Sequence, residues 1–141
     1  MIGFAMCGSY CTHAASLREL EKIKESGADI LPIVSENVYS TDTRFGSAKD
    51  LRERLLEICG RPCIHTVVDA EPLGPQMPLE ALVICPCTGN TLAKMASGIT
   101  DTAVTMAAKA HLRNGRPLII AVSTNDGLGL NLKNIGVLSA T

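Results

Sequence analysis

Short apolar runs of strand length alternate, along the whole chain, with stretches whose apolar residues recur every three or four positions. Ile2–Met6, Asp29–Val34, Ile64–Val68, Ala81–Cys85 and Leu118–Val122 read as five strands. Between the first two, Ala14–Lys24 carries Leu17, Leu20, Ile23 and Lys24 at helical spacing, with Gly27 as the stop. Ser47 and Asp50 form a capping-box pattern ahead of Leu51, Leu55, Ile58 and Cys59, and Gly60 closes that helix. Asn90–Ala96 reads as a short helix ended by Gly98. Thr100 or Asp101 is then expected to cap a helix through Met106 and Ala110 to Gly115, and Leu128–Leu138 is a weaker helical segment.

Strands rich in Val and Ile that alternate with helices predict an α/β fold. The expectation is a single Rossmann-like (flavodoxin-like) three-layer domain over residues 1–141, with a parallel sheet, helices on both faces and right-handed crossovers. No repeat, linker or low-complexity tract interrupts the pattern. Two stretches do not fit it. Tyr39–Gly46 is polar and contains Arg44-Phe45-Gly46. Ala70–Pro78 holds Pro72, Gly74, Pro75 and Pro78, which excludes regular helix or a central strand. Both follow strands, so each is either a cover for a pocket or an irregular surface connection.

Composition narrows the function classes. With 141 residues, 46% hydrophobic, 19% charged and a net charge of −1, the chain can bury a core and carries no bias toward nucleic acid or membranes. Aromatics are 3% and Trp is absent, which argues against a base-stacking platform. The Met1 start lacks the charged and apolar regions of a secretory signal, so a cytoplasmic location is expected. Cys7, Cys11, Cys59, Cys63, Cys85 and Cys87 do not fall at zinc-ribbon spacing, and they read as small packing residues rather than as metal ligands or a disulfide framework.

Candidate chemistry gathers where strands end. Leu82-Val83-Ile84 runs into Cys85-Pro86-Cys87-Thr88-Gly89-Asn90-Thr91, a strand followed by compact polar residues and then a helix. That order offers backbone N–H groups and hydroxyls to an anion. Gly8 and Ser9 repeat the pattern after the first strand, with Thr12 as contact or cap, Ser35 ends the second, and Ser123-Thr124-Asn125-Asp126 ends the last. The G-x-G-x-x-G fingerprint is absent, which points to a ligand shorter than a dinucleotide. Taken alone, the Gly8-Ser9 end reads first as an ordinary N-cap, the Thr88–Thr91 end reads first as a ligand cradle, and the Ser123–Asp126 end is open between ligand contact and a plain Asx-turn. His13, His65 and His111 are scattered and no hydrolase, metalloprotease or Walker motif occurs, so any chemistry would come from a bound cofactor.

The 85–91 run resembles the Pro-Ala-Ser-Ala-Asn-Thr motif of the homo-oligomeric flavin-containing cysteine decarboxylases and related flavoproteins. Within that group the chain resembles the dipicolinate synthase B subunits. The likeness runs through Ser40–Gly46, Ala70–Pro75, Ala110–Gly115 and Val122–Asp126. It implies FMN held by Gly8, Ser9, Ser35, Thr88, Gly89, Asn90 and Thr91. Ser123, Thr124 and Asn125 fall at the substrate motif, and Arg44 is expected to take a carboxylate of a small dicarboxylate. It also implies oxidation of dihydrodipicolinate to dipicolinate in the mother cell of a sporulating bacterium, by a homo-oligomer acting with an A subunit that carries NADP. A non-catalytic assembly subunit is the alternative. A phosphopantothenoylcysteine-type decarboxylase is disfavoured, because no His lies between Thr66 and Leu82 and Pro72 stands in that neighbourhood. The chain stops at Thr141, where the B subunits continue with a further strand and helix.

Overall fold

The computed structural model describes all 141 residues. Four parallel strands form one sheet in the order β2-β1-β3-β4: β1 (Ile2–Met6), β2 (Ile30–Val34), β3 (Ala81–Cys87) and β4 (Leu118–Val122). Ala5 lies beside Ile33 on one side and Ile84 on the other, and Ile84 pairs with Ile120. Because side chains alternate between faces, successive residues of one strand serve different cores. Ala5, Leu31, Ile33, Leu82 and Ile84 enter the larger core, whereas Phe4, Met6, Ile30 and Val34 enter the smaller.

Helices α1 (His13–Glu25), α2 (Glu36–Ser40) and α3 (Ala48–Cys59) cover the smaller core with Leu20, Val38, Leu55 and Ile58. On the opposite face stand α4 (Val67–Ala70), α5 (Gly89–Ala96), α6 (Ala103–Leu112) and α7 (Leu132–Ser139). Their buried contributors include Ala70, Leu92, Val104 and Ala107. The alanine-rich side of α6 admits close neighbours. A side chain at Gly74 would stand 2.5 Å from the Ala110 carbonyl oxygen, so only glycine lets the proline-rich loop lie against that helix.

Several boundaries differ from the expectation, each for a local reason. Ile64–Val68 is not a fifth strand. Ile64 makes one bridge to Ile33, accepting from Val34 N–H at 2.8 Å and donating to the Pro32 carbonyl at 2.9 Å. Thr66 then accepts from the Asp69 N–H and starts α4, so a cap overrides the β preference of Val67 and Val68. His65, expected in a strand, instead stacks on Tyr39 with ring centroids 3.6 Å apart. In the proline-rich loop, Glu71–Leu73 forms a 3₁₀ turn with a proline in its first turn, where no N–H is needed.

Thr102, not Thr100 or Asp101, caps α6 through a reciprocal box with Thr105. The last helix occupies Leu132–Ser139 rather than all of 128–138. The polar stretch beginning at Tyr39 opens inside α2, which Ser35 caps. No helix is long and apolar enough to cross a membrane.

Candidate functional site

Three strands deliver their carboxyl ends to one open cleft of about 700 Å³. The segment after β1 contributes Gly8 and Ser9, the end of β3 contributes Thr88 and Gly89, and the end of β4 contributes Ser123, Thr124 and Asn125. Arg44 and Phe45 enter from the loop after α2, held in a tight turn by paired Thr43 and Gly46 backbones. This placement outside the carboxyl ends of parallel strands is the general location of ligands in open α/β sheets.

The glycines do different work. A side chain at Gly8 would meet only the Tyr10 ring, at an ordinary 3.6 Å, so packing does not demand a glycine there. Its absent side chain leaves room toward the cleft. At Gly89 an added carbon would stand 2.6 Å from Asn131 Nδ2 and 2.7 Å from Thr124 Oγ1. Here the glycine permits the β4 connection to press on the start of α5.

Hydroxyls tie the cleft's rims together. Ser9 Oγ donates to the Ser123 carbonyl at 2.8 Å, and Thr12 Oγ1 donates to the Ser9 carbonyl at 2.8 Å. Thr88 Oγ1 accepts from Thr91 N–H at 3.1 Å and donates to Thr91 Oγ1 at 2.8 Å, capping α5. The N–H groups of Gly89 and Asn90 lie in the first turn, where a helix provides no acceptor. Arg44 is the one charged side chain that lines the cleft, and its guanidinium lies 4.9 Å from the Phe45 ring centroid.

Three of the residues tied to FMN by resemblance do not line this cleft. Ser35 lies half-buried at the end of β2, its hydroxyl accepting from Val38 N–H at 3.3 Å. Thr91 is buried, with its hydroxyl donating to the Cys7 sulfur at 3.3 Å, and Asn90 is exposed beyond the rim. Lys94 pairs with Asp101 at 2.8 Å, a contact that holds the Asp101 carboxyl below its usual range.

Beneath the floor, Cys7 and Cys87 are buried together. A hydrogen bond to Cys7, with burial, holds the proton on Cys87, while donation from Cys87 and Thr91 makes Cys7 the more acidic thiol. Behind Tyr10 and Phe45 a second hollow of about 370 Å³ opens between α1 and α3. His13 on its wall donates Nε2–H to the Cys7 carbonyl at 2.7 Å, and burial pulls its pKa down. No group of three or more His, Cys, Asp or Glu side chains is placed to hold a metal ion.

Two residues hold the 123–125 wall without lining the cleft: Asp126, the last residue of the Ser123–Asp126 strand end, and Asn131, which carries no strong sequence signal. Asp126 Oδ1 accepts from Thr124 Oγ1 at 2.6 Å and from Asn131 Nδ2 at 2.9 Å. Asn131 stands at the N-cap of α7, and asparagine's preference for such positions was its one available signal.

Comparison with known proteins matches residues 63–139 to the Flavoprotein family. The dipicolinate synthase B subunit of Bacillus subtilis is 45% identical over 140 residues, which is 99% of this chain and 70% of that protein. The crystal structure of the dipicolinate synthase B subunit from Bacillus halodurans superposes with a TM-score of 0.88 and 44% identity, covering 99% of this chain and 72% of that one. The FMN-dependent cysteine decarboxylase SpaF shares the fold, with a TM-score of 0.76 at 21% identity over 99% of this chain and 78% of its own.

Proposed function

The chain belongs to the Flavoprotein family and, within it, to the dipicolinate synthase B subunits; from that premise we propose that it binds FMN and helps oxidise dihydrodipicolinate to dipicolinate. The observation that carries this reading is the meeting of the Gly8, Thr88 and Asn125 segments on a single cleft. The lining suits a phosphorylated ribityl chain, because it offers first-turn N–H groups and an open glycine rather than a cage of cations, and its Ser and Thr hydroxyls, now paired within the protein, can turn to the ligand. In this reading Gly8, Ser9, Thr88 and Gly89 hold the phosphate end, and Asn90 contributes its backbone N–H.

Ser35 and Thr91 act behind that layer, fixing the helix starts rather than meeting the ligand. When bound, FMN would supply a two-electron acceptor for the oxidation. The protein's part is position. Arg44 presents a guanidinium fork to one carboxylate, and Asn125 and Ser123 orient the opposite end of the dicarboxylate. The partner is an A subunit carrying NADP, the chain associates with further copies of itself, and the setting is the mother cell of a sporulating bacterium.

One observation favours a second reading, that of a non-catalytic assembly subunit. The cleft lining contains no His, Asp or Glu, so it offers no ordinary proton acceptor. Mixing the purified chain with FMN, removing free flavin and recording the visible spectrum separates the two. A yellow protein is expected; a colourless one after FMN addition would overturn flavin binding and leave the assembly role. Dihydrodipicolinate oxidation assayed with each of the two subunits alone and then combined tests the rest, with activity expected only in the mixture.

A further inference from the structure

The wall of the cleft formed by Ser123, Thr124 and Asn125 has no regular secondary structure of its own, yet it is held at three points. Ser123 N–H donates to the Cys87 carbonyl at 2.9 Å, which anchors its start to β3. At the other end one carboxylate oxygen gathers two donors, Thr124 Oγ1 at 2.6 Å and Asn131 Nδ2 at 2.9 Å. The Asp126 carbonyl also receives N–H groups from Gly129 at 2.9 Å and Asn131 at 3.2 Å.

Asn131 is itself fixed. Its side chain is about nine-tenths buried, and its Oδ1 accepts from Asn134 Nδ2 at 2.9 Å. The third hold is steric. At Gly89 the space for a side chain is already occupied by Asn131 Nδ2, Thr124 Oγ1 and, at 3.3 Å, Asp126 Oδ1. The clamp therefore presses the wall against the first turn of α5, the same turn whose Gly89 and Asn90 N–H groups have no acceptor within the helix.

We propose that Asp126 and Asn131 are positioning residues of this site: with Gly89 they lock the 123–125 wall at a set distance from the start of α5, and so align Asn125 with the substrate's carboxylate. The inference rests on the functional reading above for the identity of the ligand, but not for the existence of the clamp. A loop carrying a recognition amide gains affinity when it is ordered before the ligand arrives. Neither Asp126 nor Asn131 lines the cleft, so neither needs to touch what binds there.

The test uses the full chain and four variants: Asp126→Leu, Asp126→Asn, Asn131→Leu and Asn131→Asp. Asparagine at 126 keeps an Oδ1 acceptor and should restore what leucine removes. Aspartate at 131 removes the donor and sets two carboxylates together, so it should behave like leucine.

Two readouts are taken. Amide hydrogen exchange on the ligand-free chain is expected to quicken about tenfold or more at Ser123, Gly129 and Asn131 in the leucine variants, the scale of one lost hydrogen bond to a charged group, with Asp126→Asn near wild type. Titration of FMN-loaded chain with dipicolinate is expected to show a dissociation constant raised about tenfold in the leucine variants, while FMN affinity moves less than about threefold.

Unchanged exchange in both leucine variants would overturn the clamp. Equal loss of dipicolinate binding in Asp126→Asn and Asp126→Leu would also overturn it, because the charge rather than the position would then matter. Failure of the wild-type chain to take up FMN would defeat the functional reading alone, since the exchange measurement judges the clamp without any ligand.

Discussion

The two edges of the sheet carry similar sequences and meet opposite fates. β2 reads Ile-Leu-Pro-Ile-Val and is buried throughout, whereas β4 reads Leu-Ile-Ile-Ala-Val and is half-buried or exposed at every position. One row of paired residues shows the gradient. Pro32 and Phe4 are buried, Val83 is half-buried, and Ile119 in the same row is 54% exposed. The cause lies outside the strands. Ile64 pairs with the outer side of β2, and α2 and α3 close over its face, while no element pairs with the outer side of β4. Hydrophobic content therefore does not decide burial at an edge; what the chain places beside it does.

The largest expected effect tests that contrast directly. Ile33→Ala, at a fully buried position bridged to Ile64, should lower stability by about 3 kcal/mol in urea unfolding, whereas Ile119→Ala should change it by less than about 1 kcal/mol. Equal losses would mean that β4 is as well covered as β2 in solution. Next in size is Gly89→Ala, which forces a methyl group into the Thr124 and Asn131 contacts and should cost about 1–3 kcal/mol. Gly8→Ala should leave stability nearly unchanged and instead weaken FMN binding, because its Cβ has only ordinary contacts within the protein.

His13 sharpens the buried side. Burial holds its pKa below the ordinary value of 6.5, so the unfolded chain takes up the proton first as pH falls. Stability from this group is full above about 6.5 and is lost as pH drops from there toward the folded-state value. Urea midpoints measured across that range should fall more steeply for the wild type than for His13→Gln. The smallest thermodynamic effect belongs to Ile119→Lys. It should leave the unfolding free energy within about 0.5 kcal/mol of wild type and reduce self-association seen by light scattering, since a charge blunts an open sheet edge.

Much of the fold was legible because its signals are local. The apolar runs of β1, β2, β3 and β4 and the helical spacing of Leu17, Leu20 and Ile23 repeat with the periods of strand and helix. Gly60 ends α3 in the left-handed conformation that a glycine stop implies. Ile64–Val68 misled because three β-branched residues, Thr66, Val67 and Val68, follow Ile64, while the deciding interaction was the Thr66 cap acting over three residues. At the site, the polar ends after β1, β3 and β4 were visible as strand-to-helix transitions. The clamp of Asp126 and Asn131 was not, since a single carboxylate serving Thr124 and an asparagine five residues on leaves no periodic trace.

The amino-acid order by itself determined which segments become strands and helices and which residue types stand at their ends, because dihedral preferences, capping and side-chain period act within a few residues of each other. Only the tertiary structure decided which of those ends share a hollow. Ser35 turned to cap its own helix, Thr91 sank toward Cys7, and Arg44 came in from a loop more than forty residues before Thr88. Strand order set the neighbours, and the missing side chain of Gly89 set how near the last loop could come. Both are contacts between distant parts of the chain, and such contacts exist only once the sheet has formed.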